Sequence, residues 1–294
     1  MSQNNPIDLI EKQEWLGKVA DAVQPLILDA FKAGGEAGQQ LKNILHGTWL
    51  GHPLHPVLTD IPVGAWSLAA IFDTLELTGS KKYKKAADVS VAVGLVGALG
   101  SAVTGLTDWS GTDGKKRKIG LMHAMLNVTG TALYGTSLAL RSKNKTRDTG
   151  IALSFAGLGI VSLAAYLGGH LVFGEQVGVD HTATSDDYPN DFVAVLAENN
   201  LAENSMKAVK AGEISVLLAK KNGKIFAIAN TCSHLGGPLN EGELLDDYTV
   251  KCPWHGSVFS LKDGSVVNGP ATEKQPQFDI RTQNGQIEVR LKKS

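Results

Sequence analysis

The sequence predicts a chain of two parts, an all-α four-helix bundle that crosses a membrane and a small all-β domain after it. Three observations carry this. Residues 89–107, 119–140 and 150–174 contain no Lys, Arg, Asp or Glu, in runs of 19, 22 and 25 residues. Each run is long enough to cross a hydrocarbon core of about 30 Å. Residues 175–191 then turn polar and acidic, with Asp180, Asp187, Pro189 and Asn190. Beyond Phe192, short apolar stretches are separated by Asn-Gly and Asp-Gly pairs, which favour tight hairpins. The averages hide this division: 294 residues, 43% hydrophobic and 19% charged, read as merely soluble.

Residues 1–50 form an amphipathic preface. Ile7, Ile10, Trp15, Val19, Val23, Leu26, Ile27 and Phe31 recur at helical spacing, and Gly34, Gly35 and Gly38 break the helix. Its mixed charges leave two uses open, lying in the headgroup layer or covering a neighbouring domain. The transmembrane part is expected over residues 51–176. Its first span, 57–77, follows the prolines of Gly51-His-Pro-Leu-His-Pro56 and is interrupted by Asp60, Asp73 and Glu76, so it is the weakest of four. Gly97, Ser101 and Gly105 in the second span, and Gly157 and Gly159 in the fourth, supply the small faces that helices in lipid pack through. An even number of spans puts both termini on one side. A linker is expected over 177–191 and the β domain over 192–294. Its strands are expected at 215–219, 224–228, 257–261 and 286–291, with turns at Asn222-Gly223, Asp263-Gly264 and Asn284-Gly285.

A formal charge of −1, with basic residues in short loop clusters, gives no footprint for nucleic acid. Residues 1–8 carry no basic residue and no apolar core, so no cleaved leader is expected. Two cysteines exclude a dense disulfide framework.

Those cysteines stand in Cys232-Ser-His234 and, after seventeen residues, Cys252-Pro-Trp-His255. Each motif offers one thiolate and one imidazole from a tight loop. A Cys2His2 set suits tetrahedral zinc, although zinc fingers pair two cysteines with a helix bearing two histidines. The alternating order also provides what a two-iron cluster needs, one iron on both thiolates and the other on both imidazoles. Cys232-Ser-His-Leu-Gly-Gly-Pro238, Cys252-Pro-Trp-His-Gly-Ser-Val-Phe259 and Gly269-Pro270 resemble the cluster-binding and covering loops of a Rieske-type [2Fe–2S] domain. The resemblance implies that Cys232 and Cys252 hold the buried iron and His234 and His255 the outer one. Gly236, Trp254, Ser257 and Pro270 would surround the cluster. Relatives from quinol-oxidising complexes carry a bridging cysteine pair at the positions of Gly237 and Trp254. This chain therefore resembles the ferredoxin type, whose potential is expected low in the range of about −150 to +300 mV. Ser257 is expected to donate to a cluster sulfide; Phe259, lacking a hydroxyl, cannot.

The loops after spans 1, 2 and 3 each hold four basic residues, among them Arg117, Arg141 and Arg147. Loops one and three share a side and together outnumber the second loop plus Lys42 on the terminal side, so the positive-inside count leans toward termini outside the cytoplasm. An iron–sulfur domain without a leader argues the reverse, so the Rieske-type domain is expected on the cytoplasmic side of a bacterial inner membrane. His52, His55, His123 and His170, with Asp60, Asp108 and Trp109, gather at the end of the bundle nearest the termini. Ionisable groups at membrane depth are costly unless paired or functional. They read either as interfacial residues bonded to helix-end carbonyls or as a second redox site, haem b or quinone, with His55 and His123 as axial ligands and His170 adjacent. His46 and His181 read as solvated. This half resembles an uncharacterised bacterial family of small four-span membrane domains, through Gly-His-Pro-Leu-His-Pro56 and the Gly168-Gly-His-Leu-Val172 exit.

The function expected is a membrane-anchored one-electron carrier. It would exchange electrons with a haem or quinone site in its own bundle, or with an unknown redox partner, while held in the lipid bilayer. A membrane scaffold or sensor with a structural or regulatory metal is the alternative. Only 39 residues follow His255, so no oxygenase catalytic domain is expected in this chain.

Overall fold

The three charge-free runs and the weaker first span form four long helices in the computed structural model, which describes residues 6–182 and 187–292. Three shorter helices come first: α1 (Pro6–Glu11), α2 (Glu14–Ala33) and α3 (Gly35–His46). The long ones are α4 (Leu54–Leu77), α5 (Lys84–Trp109), α6 (Gly114–Arg141) and α7 (Arg147–Phe173). In contact, α4 meets α5, α5 meets α6, α6 meets α7, and α7 returns to α4. The preface is thus three helices rather than one. Its break lies at Gly34 and Gly35, the latter at φ +54°, while Gly38 sits inside α3. A Cβ at Gly38 would lie 2.0 Å from the Phe31 carbonyl oxygen, so glycine there permits close approach to the end of α2.

The chain falls into two compact units, Met1–Gly38 with Pro53–Gln176 and Gln39–His52 with Val177–Ser294. The preface therefore divides, its last residues joining the β unit. In the helical unit, Leu16 and Ala20 of α2 bury against Trp109 and Leu121. The amide of Gln24 donates to the carbonyls of Trp109, Ser110 and Thr112 at 3.1, 3.2 and 2.8 Å, satisfying carbonyls that the end of α5 leaves open. The apolar face of α2 thus covers the ends of α5 and α6.

The helical unit is a repeat of two hairpins, which the sequence analysis missed. His55, Trp66 and Asp73 of α4 correspond to His123, Tyr134 and Arg141 of α6 at one interval of 68 residues. Each pair meets across the bundle. The Trp66 and Tyr134 rings stack at 4.0 Å and 7°. Gly94 in α5 and Gly157 in α7 occupy matching places, Gly94 beneath Trp66 and Gly157 beneath Tyr134. A Cβ on Gly94 would sit 2.2 Å from Trp66 Nε1. Gly94→Ala is accordingly expected to cost about 1–3 kcal/mol by overpacking, read as a lower Tm in detergent.

Two of the charges that interrupt the first span, Asp73 and Glu76, are paired. Arg141 donates to both carboxylate oxygens of Asp73 and to Asp88 at 3.3 Å. Arg147 makes a bidentate pair with Glu76, 2.7 Å to each oxygen, and reaches Asp88 at 3.0 Å. Lys84 lies 3.7 Å from Glu76, which balances three carboxylates against three cations. Ser137 and Ser154 complete the hydrogen bonds of Arg141. Buried charge is tolerated here because it is paired and fully hydrogen-bonded.

The β unit contains β1 (Val193–Ala197), β2 (Ser205–Ala211), β3 (Ile214–Lys221), β4 (Lys224–Ala229), β5 (Glu243–Leu244), β6 (Thr249–Lys251), β7 (Val258–Ser260), β8 (Val266–Asn268), β9 (Phe278–Gln283) and β10 (Gln286–Leu291). They form antiparallel sheets ordered β1-β10-β9, β2-β3-β4 and β5-β6-β7-β8. The Asn222-Gly223 and Asn284-Gly285 turns form as expected, with all four residues at positive φ. Strand β3 is buried on both faces: Val216 and Leu218 enter one core, Leu217 and Ala219 the other. The expected linker is partly docked. Tyr188 is buried against Phe278, and Leu291 N–H donates to the Pro189 carbonyl at 2.8 Å. Residues 183–186 of that linker, and 1–5 of the region read for a leader, lie outside the described residues.

Candidate functional site

Two loops of the β unit are built alike. The first follows β4 and bends back so that Cys232 N–H donates to Gly237 O at 2.8 Å and Gly236 N–H to Cys232 O at 2.9 Å. The second joins β6 to β7, with Cys252 N–H to Ser257 O at 2.8 Å and Gly256 N–H to Cys252 O at 3.2 Å. Gly236 and Gly256 close the turns at φ +79° and +77°, a region open to glycine at little cost. Cys232 and Cys252 are 1% and 3% exposed, within the core of Leu217, Ile228, Leu239, Val250 and Phe259. The two sulfurs touch: the Cys232 thiol donates to Cys252, which holds Cys252 down to about 6, and the same contact with burial pushes Cys232 up. His234 and His255 are half-buried, with ring centres 5.1 Å apart at 82°.

The donors thus come as two pairs, sulfur with sulfur and imidazole with imidazole. Among the described residues, no three His, Cys, Asp or Glu side chains converge on one point to hold an ion. A single tetrahedral zinc would need all four together. Two irons need them as they stand, two thiolates on one and two imidazoles on the other. Two imidazoles on one tetrahedral iron, with bonds of about 2.0–2.1 Å and ring centres about 1.1 Å further out, would stand about 5.1 Å apart. The histidine pair has that spacing, and the donor set fits a [2Fe–2S] cluster.

Residues 191–279 match the family described as Rieske [2Fe–2S] domain, and residues 51–181 match the one described as predicted membrane protein (DUF2231). The ferredoxin subunit of 3-phenylpropionate/cinnamic acid dioxygenase from Escherichia coli (strain K12) is 36% identical over 76 residues, 26% of this chain and 72% of that protein. This chain belongs to the Rieske [2Fe–2S] family. A DUF2231 domain precedes its Rieske domain. Apoptosis-inducing factor 3 of Homo sapiens is 33% identical over 147 residues, 48% of this chain and 23% of that protein, so the chain spans about a quarter of that relative's length. The ferredoxin of carbazole 1,9a-dioxygenase from Nocardioides aromaticivorans IC177 superposes with a TM-score of 0.33 at 22% identity, over 34% of this chain and 98% of that one.

A Rieske domain binds a [2Fe–2S] cluster, and the surroundings of the paired donors suit it. A Cβ on Gly237 would lie 3.0 Å from Cys252 Sγ and 3.1 Å from the Trp254 ring, so this position is closed to larger side chains. Trp254 is 56% exposed and flanks His255, ring centres 6.4 Å apart. Pro270 is buried. Ser257 is 0% exposed, and its Oγ accepts from Ala271 N–H at 3.0 Å, which leaves its own proton to donate. A donor aimed at a cluster sulfide stabilises the reduced, more negative form. Ser257→Ala is expected to lower the midpoint by about 45 mV, one hydrogen bond of about 1 kcal/mol on a one-electron couple, measured by potentiometric EPR titration.

Sequence reasoning missed what holds the proline loop of the Rieske unit. Asn43 in α3 accepts from Gly269 N–H at 3.1 Å, and its amide donates to Val267 O at 3.3 Å and to Asn268 at 3.0 Å. His46 is 1% exposed, not solvated, because its ring packs where a Gly269 side chain would go. His181 is half-buried, and its backbone N–H donates to Ser233 O at 3.1 Å. No local pattern marks Asn43, which lies more than 220 residues from its partners.

The histidines expected at the end of the bundle separate. His55 and His123 meet at 6.4 Å between ring centres. His170 turns instead to Glu175 at 3.3 Å, itself 3.1 Å from Lys115. His52 belongs to the Rieske unit, where it pairs with Glu273 at 3.0 Å.

Proposed function

We propose that this chain is a one-electron carrier held in a lipid bilayer by its four long helices. The pairing of two buried thiols with two half-buried imidazoles carries the reading. Cys232 and Cys252 would hold the inner iron and His234 and His255 the outer one. A bound [2Fe–2S] cluster accepts and releases one electron between its oxidised and reduced forms. The buried cysteines keep water from the inner side, while the two imidazoles offer the partly exposed edge through which a partner would be met. Trp254, largely exposed beside His255, extends that edge with a flat apolar surface.

Two observations support the anchor. The helix of residues 147–173 and the stretch of 81–109 are long and apolar enough to cross a membrane. Ile71, Val96, Leu99, Val128 and Leu163 are 54%, 72%, 66%, 67% and 58% exposed, an apolar exterior spread over all four long helices. The Rieske unit would lie on the cytoplasmic side of a bacterial inner membrane.

Anaerobic purification of the full chain tests the reading. It is expected to need detergent for release from membranes and to carry two irons and two acid-labile sulfides per chain. Its colour is expected to bleach reversibly with dithionite. A colourless chain loaded with zinc would overturn the carrier reading.

A further inference from the structure

The internal repeat brings two histidines together in a way the Rieske loops do not explain. His55 Nδ1 lies 2.9 Å from the Ser101 carbonyl, and His123 Nδ1 lies 2.8 Å from the Ala164 carbonyl. A carbonyl oxygen only accepts, so each Nδ1 carries the proton and each Nε2 keeps its lone pair. The amide of Asn127 agrees, since it donates to His123 Nε2 at 3.1 Å, a bond that a metal at that lone pair would displace, while also bonding the His123 carbonyl at 3.0 Å. Gly105 and Gly168 seat the two rings in matching fashion. A Cβ there would lie 2.7 Å from His55 Cε1 and 3.0 Å from His123 Cε1.

We propose that His55 and His123 are the two axial ligands of one haem iron inside the helical unit. Two imidazoles in line on one iron, with bonds of about 2.0–2.1 Å and ring centres about 1.1 Å beyond, would stand about 6.3 Å apart. The rings stand at 6.4 Å, wider than the 5.1 Å of His234 and His255. No third His, Cys, Asp or Glu joins them among the described residues. A bare ion of the zinc type would be left with half its ligands. A porphyrin supplies the other four positions of an octahedral iron. A quinone fits the two rings poorly, because its carbonyls need N–H donors and both ring protons are spent on backbone carbonyls, which leaves the Asn127 amide to donate. The backbone carbonyls also fix ring orientation, as partners behind metal-bound histidines do. Bundle interiors are where cofactors of this class are held, by side chains on facing helices.

The use of the site in electron transfer rests on the carrier reading, but the ligation does not. The test is the full chain, expressed with δ-aminolaevulinate, purified in detergent and titrated with hemin. About one low-spin haem per chain is expected by pyridine haemochromogen assay and by the bis-imidazole EPR spectrum. His55→Ala and His123→Ala should each lower haem occupancy at least tenfold while the reduced cluster's EPR signal persists. His123→Met should retain haem with a changed ligand-field spectrum. A cluster-loaded wild-type chain that takes up no haem overturns the assignment whatever the variants do. So does haem that survives in the double alanine variant. Haem bound by a chain lacking its cluster supports this site and overturns the carrier reading instead.

Discussion

Cys232→Ser and Cys252→Ser are each expected to yield a chain without iron, acid-labile sulfide or visible colour. In the proposed site each thiolate is a ligand, and a serine hydroxyl does not ionise near neutral pH, so the inner iron would lose half its protein ligands with either change. Both side chains lie in the β core at 1% and 3% exposure, and no other cysteine exists to substitute. The effect should be all-or-none, from two irons per chain to a background at least tenfold lower. His255→Cys provides the contrast. A thiolate in place of an imidazole adds negative charge to the outer iron, so this variant is expected to keep a cluster whose midpoint falls toward the about −400 mV of all-thiolate clusters. Colour and iron retained in Cys232→Ser would refute the pairing of donors on which the site is built.

Asp73→Leu is expected to destabilise the helical unit by about 3–5 kcal/mol, because it leaves the Arg141 guanidinium, 1% exposed, without its bidentate partner. Arg141→Leu should cost as much by stranding Asp73 at 0% exposure. The double change Asp73→Leu with Arg141→Leu should recover most of the loss, since paired removal of a buried ion pair is often neutral or stabilising. Asp88 keeps its bond to Arg147 at 3.0 Å in that variant, so no third charge is stranded. Thermal unfolding in detergent for the two single variants and the double one closes the cycle. Additive losses would show that Asp73 and Arg141 do not act as a pair.

The four long helices, the two hairpin turns and the two cysteine–histidine loops were legible because each rests on local chemistry. A run without charges needs no distant partner to read as a span, and Asn-Gly sets its own turn. Cys-Ser-His and Cys-Pro-Trp-His offer candidate ligands at fixed spacing within a few residues. The residues misread are those whose meaning lies across the fold. Asp73 and Glu76 looked like defects in a span, and Arg141 and Arg147 like free loop charges, until α4, α6 and α7 brought them together. Their burial also weakens the positive-inside count, which had counted both arginines as solvated loop charge. His46 looked solvated until the loop at Gly269 closed over it.

The sequence alone determined which residue types were present to bind metal and which stretches were too apolar for water, because composition and short-range spacing suffice for both. Only the tertiary structure decided which charges neutralise one another and which imidazoles face each other. Those outcomes depend on side chains 68 residues apart on α4 and α6 meeting in space. Electrostatic cost and metal geometry are set by distances in ångströms, and separation along the chain carries no record of them.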